Sequence, residues 1–426
     1  MDNKESFGVN LTGFFRAEIG FGEAIRGNLK ALQEVNVKTK AVNFNLNLKH
    51  RLNDDSVDTV EDNIYPVNIV HVNMDTIWQF LKEKSSDFFK DKYNIGYWAW
   101  EMEDFPEKYC ENFALYDEIW TCSKYCLDSI SFKSPIPVVN IPHPIDIKEA
   151  DINTEYDSGL SDKETYKFLF IFDYNSSIVR KNAFAVIEAF EKAFGKEDGR
   201  VSLILKTSIP SHYTDDKNRL MSRIKDFKNI IYKEEMLRRG DLLSLISQSD
   251  CYVSLHRSEG FGLTVAEAMA LGKPVIATGY SGNMEYMNVN NSFPVKYKMV
   301  KLERDLGPLL KGNYWSEPDV EHASEMMKFV FENQEYAKEI GTKAKRDIQQ
   351  NFSPETIGNK MKKRLDIIKK EIIPLKNQTE YKQKIVEIQA ENVLLKQRVL
   401  YLEKSLYNKL RKNVNNLFSK LKRKKN

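Results

Sequence analysis

Short apolar runs alternate with helix-like segments along the first part of this chain. The run FGVNLTGFF at 7–15 is the first of five with the length and composition of buried or half-buried strands. The other four are VKTKAVNF, VNIVHVN, YNIGYWAW and DEIWTCS. Helical spacing occurs between and after them, for example at 107–116 and 124–131. Strands that alternate with helices predict crossover connections and a parallel sheet.

A second series of the same kind follows a polar, acidic segment at 147–166, which we interpret as a linker. Its predicted strands are FLFIFDY, VSLILKTS, NIIYKEE, DCYVSLH and KPVIATGY, and its predicted helices lie at 182–194, 217–227, 240–248 and 263–271. Together the two series predict an α/β protein with two Rossmann-like domains that face each other across a cleft. In such sheets, ligands bind at the carboxyl ends of the strands, close to helix N-termini.

We place domain boundaries where the pattern changes. The predicted first domain is 1–150 and the predicted second domain is 151–352. A helix at 353–375 is expected to return toward the first domain, and Pro354 suits its first turn. The remaining residues, 376–426, have the pattern of a helical tail.

The tail carries a heptad pattern whose inner positions are three and four residues apart. These positions are Ile385, Ile388, Asn392, Leu395, Val399, Leu402 and Leu406. A single Asn at an inner position is a known device for fixing the register of a coiled coil. The pattern predicts a homo-oligomer formed through 385–406. The alternative is one amphipathic helix that packs on the body of the same chain.

Charge is distributed unevenly between the body and the tail. The chain has 64 Lys and Arg against 61 Asp and Glu, and nine of the bases lie from Lys404 onward with no acid among them. The mildly acidic remainder lacks the basic surface expected of a nucleic-acid-binding protein. An apolar stripe accompanies the bases of 404–426, at Leu406, Leu410, Val414, Leu417 and Leu421. This combination is typical of contact with an anionic membrane surface, and a solvated basic end is the alternative.

Cysteine spacing and hydropathy bear on the cellular compartment. The four cysteines form no C-x-x-C pair, so neither a zinc site nor a redox motif is predicted. The sequence starts without the basic and apolar regions of a secretory signal. No apolar run approaches the roughly 20 residues of a membrane-spanning helix. We therefore expect a cytoplasmic protein, either free or peripheral on the inner face of the membrane.

Candidate chemistry is concentrated in EGFGLTVAEAMALGKPVIA at 259–277. Backbone N–H groups at the start of the predicted helix are unpaired donors that suit a diphosphate, and Gly260 allows the ligand to approach closely. These donors belong to Phe261, Gly262, Leu263 and Thr264. Glu259 and Glu267 flank this start, and ionised carboxylates accept hydrogen bonds from vicinal hydroxyls. The alternative is a pair of acids that only stabilise the helix dipole.

This segment resembles the E-x7-E motif of the GT-B glycosyltransferases of family 4, which are retaining nucleotide-sugar enzymes. EGFG at 259–262 and EAMALGKPV at 267–275 match that motif without a gap. The resemblance implies that Glu259 contacts hydroxyls of the donor sugar and that Glu267 contacts the ribose. It also implies a front-face displacement that keeps the anomeric configuration and needs no metal, and no cofactor besides the donor nucleotide sugar.

The resemblance extends to basic residues at the start of the second domain, which neutralise the diphosphate in the family. Arg180 and Lys181 match the later part of that element. Asp173 and Tyr174 stand where the family has an earlier Arg. Lys206, at the end of the next predicted strand, is a candidate substitute for that missing charge. The alternative is an ordinary solvated pair of charges.

In the first domain, a glycine-containing segment corresponds to the family's first glycine-rich loop, which lies beside the phosphates. Gly20 and Gly22 occupy that position, and Arg16 precedes it. A dinucleotide-binding fingerprint does not fit here, because Gly27 comes two residues too late.

The segment YNIGYWAWEMED lacks the His with which many family members bind the donor sugar. A Trp–Glu pair takes its place, so Glu101 is a candidate to accept the acceptor's proton or to bind a sugar hydroxyl. The alternative is a core pair, Trp98 and Trp100, followed by exposed acids. His71 is a rival for a role in the cleft. His143 falls at the family's interdomain hinge, where we expect a structural role.

The predicted function is a retaining glycosyltransferase that moves a sugar from a nucleoside-diphosphate sugar to an acceptor hydroxyl. The expected setting is bacterial polysaccharide or surface-glycan assembly, with a glycan, a lipid-linked glycan or a protein as acceptor. The main alternative is a noncatalytic scaffold for another transferase. A nucleotide-sugar epimerase and a membrane-tethering module are further alternatives.

Overall fold

The computed structural model describes most of the chain. The described ranges are 7–44, 54–160, 164–208, 214–376 and 381–423. Within them, the side chains at 376, 381–383, 410 and 412–423 are outside the description. The apolar stripe predicted at the end of the tail therefore falls mostly outside the described side chains.

The first domain is built on a six-stranded parallel sheet. Its strands β1 to β6 are Val9–Gly13, Thr39–Asn43, Val67–His71, Tyr93–Trp98, Glu118–Thr121 and Val138–Asn140. Their spatial order is β2-β1-β3-β4-β5-β6, and every neighbouring pair is parallel. The strand order reverses between β1 and β3, and α/β sheets bind ligands at such a switch point.

Helices cover both faces of this sheet. Helices α1 to α3 are Gly20–Glu34, Ile77–Lys84 and Lys124–Ser131, and 3-10 turns occupy Ser86–Phe89, Glu107–Leu115 and Glu149–Asp151. The helical pattern at 107–116 thus forms 3-10 turns instead of an α-helix. Strand β6 was not predicted, because it has only three residues and lies in a proline-rich segment.

The second domain repeats the arrangement. Strands β7 to β12 are Tyr166–Phe172, Val201–Thr207, Ile230–Glu234, Cys251–Ser254, Val275–Thr278 and Phe293–Val295. Their order is β12-β11-β10-β7-β8-β9, and all neighbours are parallel. Helices α4 to α8 are Ile178–Lys181, Ala183–Phe194, Thr214–Ile224, Arg239–Gln248 and Leu263–Ala270, and 3-10 turns lie at Tyr174–Ser176 and Gly282–Glu285. Asn182 adopts a left-handed backbone with φ of 60°, which separates α4 from α5.

Four elements after β12 were not predicted from the pattern. An antiparallel hairpin joins β13 (Tyr297–Lys301) to β14 (Tyr314–Pro318). Helices α9 (Val320–Glu332) and α10 (Gln334–Asn351) follow it. Strand β13 is largely exposed, so it lacks the apolar run on which the strand predictions rested.

The chain then returns to the first domain. Helix α11 (Pro354–Ile367) packs against α1, and Gly358 makes this approach possible because a Cβ there would lie 2.1 Å from the carbonyl oxygen of Ala31. Arg364 of α11 forms an ion pair with the fully buried carboxylate of Glu118 in β5. A π-helical turn at Ile368–Ile372 leads into α12 (Ile373–Lys376).

The last helix is long and lies partly against the body. Helix α13 (Tyr381–Arg423) contacts α2 and the 3-10 turns at 86–89 and 107–115 of the first domain. In the part of the chain that the structure describes, no helix combines the length and the apolar character needed to cross a membrane.

Candidate active site

The loop after β10 and the N-terminus of α8 lie at the carboxyl edge of the second sheet. Gly262 has a left-handed backbone with φ of 84° and precedes the first residue of α8. The hydrogen bond that Val265 N donates to Gly262 O is 3.0 Å long. The N–H groups of Leu263 and Thr264 come before it and have no carbonyl within the helix to bind. The predicted helix start is therefore present in the structure, with its first N–H groups unpaired within the helix.

The glycine segment of the first domain lies opposite this helix start. A Cβ added to Gly20 would lie 3.7 Å from Leu263 Cδ1. Gly22 is instead buried in the first turn of α1, where a Cβ would lie 1.9 Å from the carbonyl oxygen of Ala17, and Arg16 is exposed. Of the two glycines predicted beside the phosphates, Gly20 is the one that faces α8.

Glu259 is buried among positive charges. Its residue is 6% exposed, Oε1 accepts a hydrogen bond of 2.5 Å from Lys181 Nζ, and Oε2 lies 3.3 Å from Arg180 Nη1. Burial favours the neutral acid, but the charges of Lys181 and then Arg180 outweigh it and lower the pKa of Glu259 to about 2. The carboxylate is therefore ionised at any physiological pH.

Arg180 joins the two domains. Its guanidinium donates to Ser258 O at 2.7 Å and to Ser176 O at 3.1 Å, and it lies 3.0 Å from Glu101 Oε1 in the first domain. The side chain is almost fully buried. Arg180 is therefore not a solvated surface charge, so that alternative is wrong for it. Both terminal nitrogens of its guanidinium already have partners within the protein.

Glu101 follows β4 and reaches the same cluster. Its side chain is 35% exposed. Burial raises the pKa of this carboxyl, Arg180 opposes the increase, and the charge of Glu259 adds to it. Trp98 and Trp100 are core residues, as the alternative held, but Glu101 is an interdomain ion-pair partner and not a free surface acid. A carboxyl with a raised pKa beside the cleft is suited to proton exchange.

The two rival histidines are buried in the first domain. His71 has no exposed surface, stacks on Tyr97 at 3.9 Å between ring centroids, and lies 2.8 Å from Asn28 Nδ2 through Nε2. His143 contacts the edge of the Phe261 ring across the domain boundary. Burial lowers the pKa of both, to about 3 for His143. Their surroundings are those of core residues.

Glu267 is the least satisfied carboxylate of the site. It is 3% exposed, and Oε1 accepts a hydrogen bond of 2.5 Å from Arg239 Nη1. Oε2 is buried and has no hydrogen-bond partner among the described residues. Burial raises the pKa of Glu267, Arg239 opposes the increase, and nearby Glu23 adds to it. A buried acceptor without a donor is costly in the fold, so Glu267 Oε2 calls for a functional or structural explanation.

Arg239 is a site residue that the sequence analysis missed. It is the first residue of α7, and its Nε lies 3.6 Å from Glu23 Oε2 in α1. It thus links the buried Glu267 to the glycine segment of the first domain. Its partners are separated from it by tens or hundreds of residues, so no local motif indicates this contact.

The loop after β11 supports Glu259 and was also missed. Glu259 N donates to Ser281 Oγ at 2.8 Å, and Gly282 N donates to Glu259 O at 2.9 Å. His256 Nε2 lies 2.9 Å from Asn283 Oδ1 of the same loop. The SG turn signal directly after a predicted strand marks the loop, but it gives no sign of the partner.

The other predicted residues are placed as follows. Phe261 has its ring in the core against Tyr286, so its backbone alone is available to a ligand. Thr264 accepts a hydrogen bond of 2.8 Å from Tyr252 OH. Lys206 is the penultimate residue of β8, where it is buried and in register with Ile171 of β7.

Direct contacts close the two domains on each other. Gly260 O accepts a hydrogen bond of 2.6 Å from Ser123 Oγ in the first domain. The Glu285 carboxylate accepts hydrogen bonds of 2.7 Å from Lys124 N and from Asn140 Nδ2. Among the described residues, no group of three His, Cys, Asp or Glu side chains is arranged to hold a metal ion.

The sequence comparisons agree with this geometry. Residues 159–347 match the family model of the glycosyl transferases group 1. A trehalose synthase from Pyrococcus horikoshii is 32% identical over 120 residues, which are 28% of this chain and 23% of that enzyme. The match to this curated relative therefore spans about a quarter of its length.

Solved structures with the same architecture cover nearly the whole body. A glycosyltransferase from Rickettsia africae covers 86% of this chain and all of its own, with 16% identity and a TM-score of 0.62. Sucrose-phosphate synthase from Thermosynechococcus elongatus covers 85% and 99%, with 13% identity and a TM-score of 0.59. Anabaena Alr3699/HepE in complex with UDP and glucose covers 84% and 99%, with 12% identity and a TM-score of 0.57. The chain therefore has the GT-B fold, and its residues 159–347 match the family of the glycosyl transferases group 1.

Proposed function

We propose that this protein transfers a sugar from a nucleoside-diphosphate sugar to an acceptor hydroxyl with retention of the anomeric configuration. The observation that carries the proposal is the buried Glu267 Oε2, which has no hydrogen-bond partner among the described residues and belongs to α8, whose N-terminus faces Gly20 of the first domain. A ribose hydroxyl would supply the missing donor, and the first N–H groups of α8 would bind the diphosphate.

The donor sugar would then extend toward Glu259. This carboxylate is held ionised by Lys181 and Arg180, so it accepts hydrogen bonds from sugar hydroxyls without first losing a proton. Arg180 is anchored by two backbone carbonyls. Lys181 is the more accessible of the two cations, and we assign it the diphosphate when the donor is bound.

In the proposed reaction the acceptor oxygen forms a bond to the anomeric carbon on the face from which the phosphate departs. The bond from that carbon to the phosphate oxygen breaks, and the acceptor's proton passes to the departing phosphate. Glu101 is the alternative proton acceptor because its pKa is raised and it lies in the same cluster. Neither step needs a metal or a cofactor besides the donor nucleotide sugar.

We further propose a bacterial polysaccharide or surface glycan as the product, with a glycan, lipid-linked glycan or protein as acceptor. UDP sugars are the first donors to test, since HepE was crystallised with UDP-glucose and the pneumococcal O-GlcNAc transferase GtfA with UDP and GlcNAc. The basic segment 404–426 supports a place on the cytoplasmic face of an anionic membrane. Co-sedimentation with anionic vesicles, but not with neutral ones, would test that location.

The activity is tested by supplying sugar nucleotides and candidate acceptor glycans and measuring nucleoside diphosphate release. We expect release to depend on the acceptor, and NMR of the product to show the donor's anomeric configuration. An inverted product would contradict retention. Nucleotide binding without release from any donor would favour the noncatalytic scaffold instead.

A further inference from the structure

Helix α13 presents two different apolar faces. One packs on the first domain, where Ala390 and Val393 are buried and Val386 and Leu394 are partly buried. The other is the heptad seam predicted from the sequence. Its apolar residues are between 51% and 60% exposed, at Ile385, Ile388, Leu395, Val399, Leu402 and Leu406, and Asn392 among them is exposed as well. Helix α13 thus packs on the body through one face, as the alternative held. Its heptad seam remains exposed.

We propose that this seam binds the same seam of a second copy of the chain, as a parallel, in-register, two-stranded coiled coil. Spacings of three and four place Ile385, Asn392, Val399 and Leu406 at heptad positions a, and Ile388, Leu395 and Leu402 at positions d. The residues that pack on the body fall at b, c and f, on the opposite side of the helix. Pairing with a second copy therefore does not require α13 to leave its own body.

The composition of the seam favours two parallel strands. Ile or Val at a with Leu at d is the preference of parallel dimers, and Val399 with Leu395 and Leu402 follows it, whereas Ile388 at d and Leu406 at a depart from it. In a parallel, in-register pair, Asn392 meets Asn392 of the second copy, and the two amides can hydrogen-bond. In an antiparallel pair, an a position faces a d position, so the amide would be buried against an Ile or Leu at the cost of an unpaired polar group.

Charges beside the seam are complementary in the same arrangement. A residue at g faces the e residue five positions later on the partner helix of a parallel dimer. Arg398 at g would face Glu403 of the second copy, and Glu391 at g would face its Lys396, so both pairs attract. All four side chains are exposed. Lys396 also forms an ion pair with Glu111 of its own body, so Arg398 and Glu403 make the cleaner test.

Sedimentation velocity of the full chain tests the interface. We expect the wild type to have twice the 49.6 kDa mass of one chain at high concentration and to dissociate on dilution. Leu402→Glu should weaken the dimer by at least about tenfold, because it buries a charge in the seam. Leu400→Glu is the matched control, since Leu400 is 47% exposed on the same helix but lies off the seam. A monomeric wild type, or an equal effect of the two variants, would overturn the proposal.

Two further variants test orientation and register. Asn392→Cys should form a covalent dimer on mild oxidation, whereas Leu400→Cys and the wild type should not. Arg398→Glu should weaken the dimer, and the double variant Arg398→Glu with Glu403→Arg should restore it. An Asn392→Cys variant that is dimeric under reducing conditions but does not cross-link rules out the parallel register. Assemblies larger than a dimer rule out two strands. The inference does not depend on the proposed activity.

Discussion

Glu259 and Glu267 belong to one motif but have opposite electrostatic surroundings. Glu259 lies beside two cations, which hold its pKa at about 2, whereas burial raises the pKa of Glu267 and leaves one of its oxygens without a partner. Each oxygen of the first carboxylate lies beside a cation of the protein. In the proposed function, the second carboxylate accepts its missing hydrogen bond from the ligand.

Glu259→Gln tests the contact to the donor sugar. The amide cannot match an ionised carboxylate as an acceptor, so we expect turnover to fall by at least about 100-fold, the size of one lost transition-state contact. Nucleotide affinity should change little. The control is Glu339→Gln on the exposed face of α10, which should keep normal turnover. Near-normal turnover in Glu259→Gln would remove Glu259 from the reaction.

The raised pKa of Glu267 gives nucleotide binding a pH dependence. As the pH falls toward that pKa, the carboxyl takes up a proton, and the neutral group is a weaker acceptor for the ribose hydroxyl than the carboxylate. Affinity for the nucleotide should therefore decrease on acidification, beginning above the pH at which an ordinary Glu titrates. Calorimetric titration of the wild type and Glu267→Gln across pH measures it. Identical pH profiles would show that Glu267 does not bind the ligand.

The sequence located these two residues because their spacing along one loop and helix is local. It did not locate Arg239, which contacts Glu267 and lies near Glu23 of the other domain. It also assigned Arg180 to the diphosphate, whereas in the structure its donors bind backbone carbonyls and the carboxylates of Glu101 and Glu259. Such roles depend on which distant segments meet, and no spacing in the chain encodes that.

At the scale of elements, long apolar strands were predicted and short or exposed ones were not. Strands β7 and β8 are buried throughout, so their composition identifies them. Strand β6 has three residues, and β13 faces solvent, so neither has a distinctive pattern. The sequence marks the loop at 279–283 by its SG turn, but it does not show that this loop holds the backbone of Glu259 in place.

Gly282→Ala tests that support. A Cβ at Gly282 would lie 2.0 Å from Gly260 O, so the two loops would have to separate. We expect a loss of about 1–3 kcal/mol of unfolding free energy, as for an overpacked core, together with reduced turnover. Gly199→Ala is the control, because a Cβ there would meet no heavy atom within 4 Å. Equal unfolding curves for the two variants would show that the close contact is unimportant.

At the scale of the whole molecule, the body and the tail have separable tasks. The body holds both sheets and the candidate site, and α11 ties the end of the second domain to α1 and β5 of the first. Helix α13 then leaves one apolar face for a partner. A parallel dimer would place both basic segments 404–426 at the same end of the assembly, which would strengthen attraction to an anionic surface.

Truncation after Lys396, which keeps the residues of α13 that pack on the body, tests this separation. The shortened chain should keep its response to nucleotide, because no residue of the candidate site lies beyond that point. It should sediment as a monomer at every concentration, because Val399, Leu402 and Leu406 of the seam are gone. A truncated chain that still dimerises would place the interface on the body.

The most direct test of the account is a thermal-unfolding panel of UDP, GDP, ADP, CMP and dTDP on the wild type, Glu267→Gln and Glu339→Gln. A ligand at about 100 times its dissociation constant adds about 2.7 kcal/mol to the unfolding free energy, which shifts the melting temperature measurably. We predict that one nucleoside diphosphate stabilises the wild type and Glu339→Gln, and stabilises Glu267→Gln far less. Stabilisation by none of them, or equal stabilisation of Glu267→Gln, would contradict the claim that this site binds a nucleotide sugar.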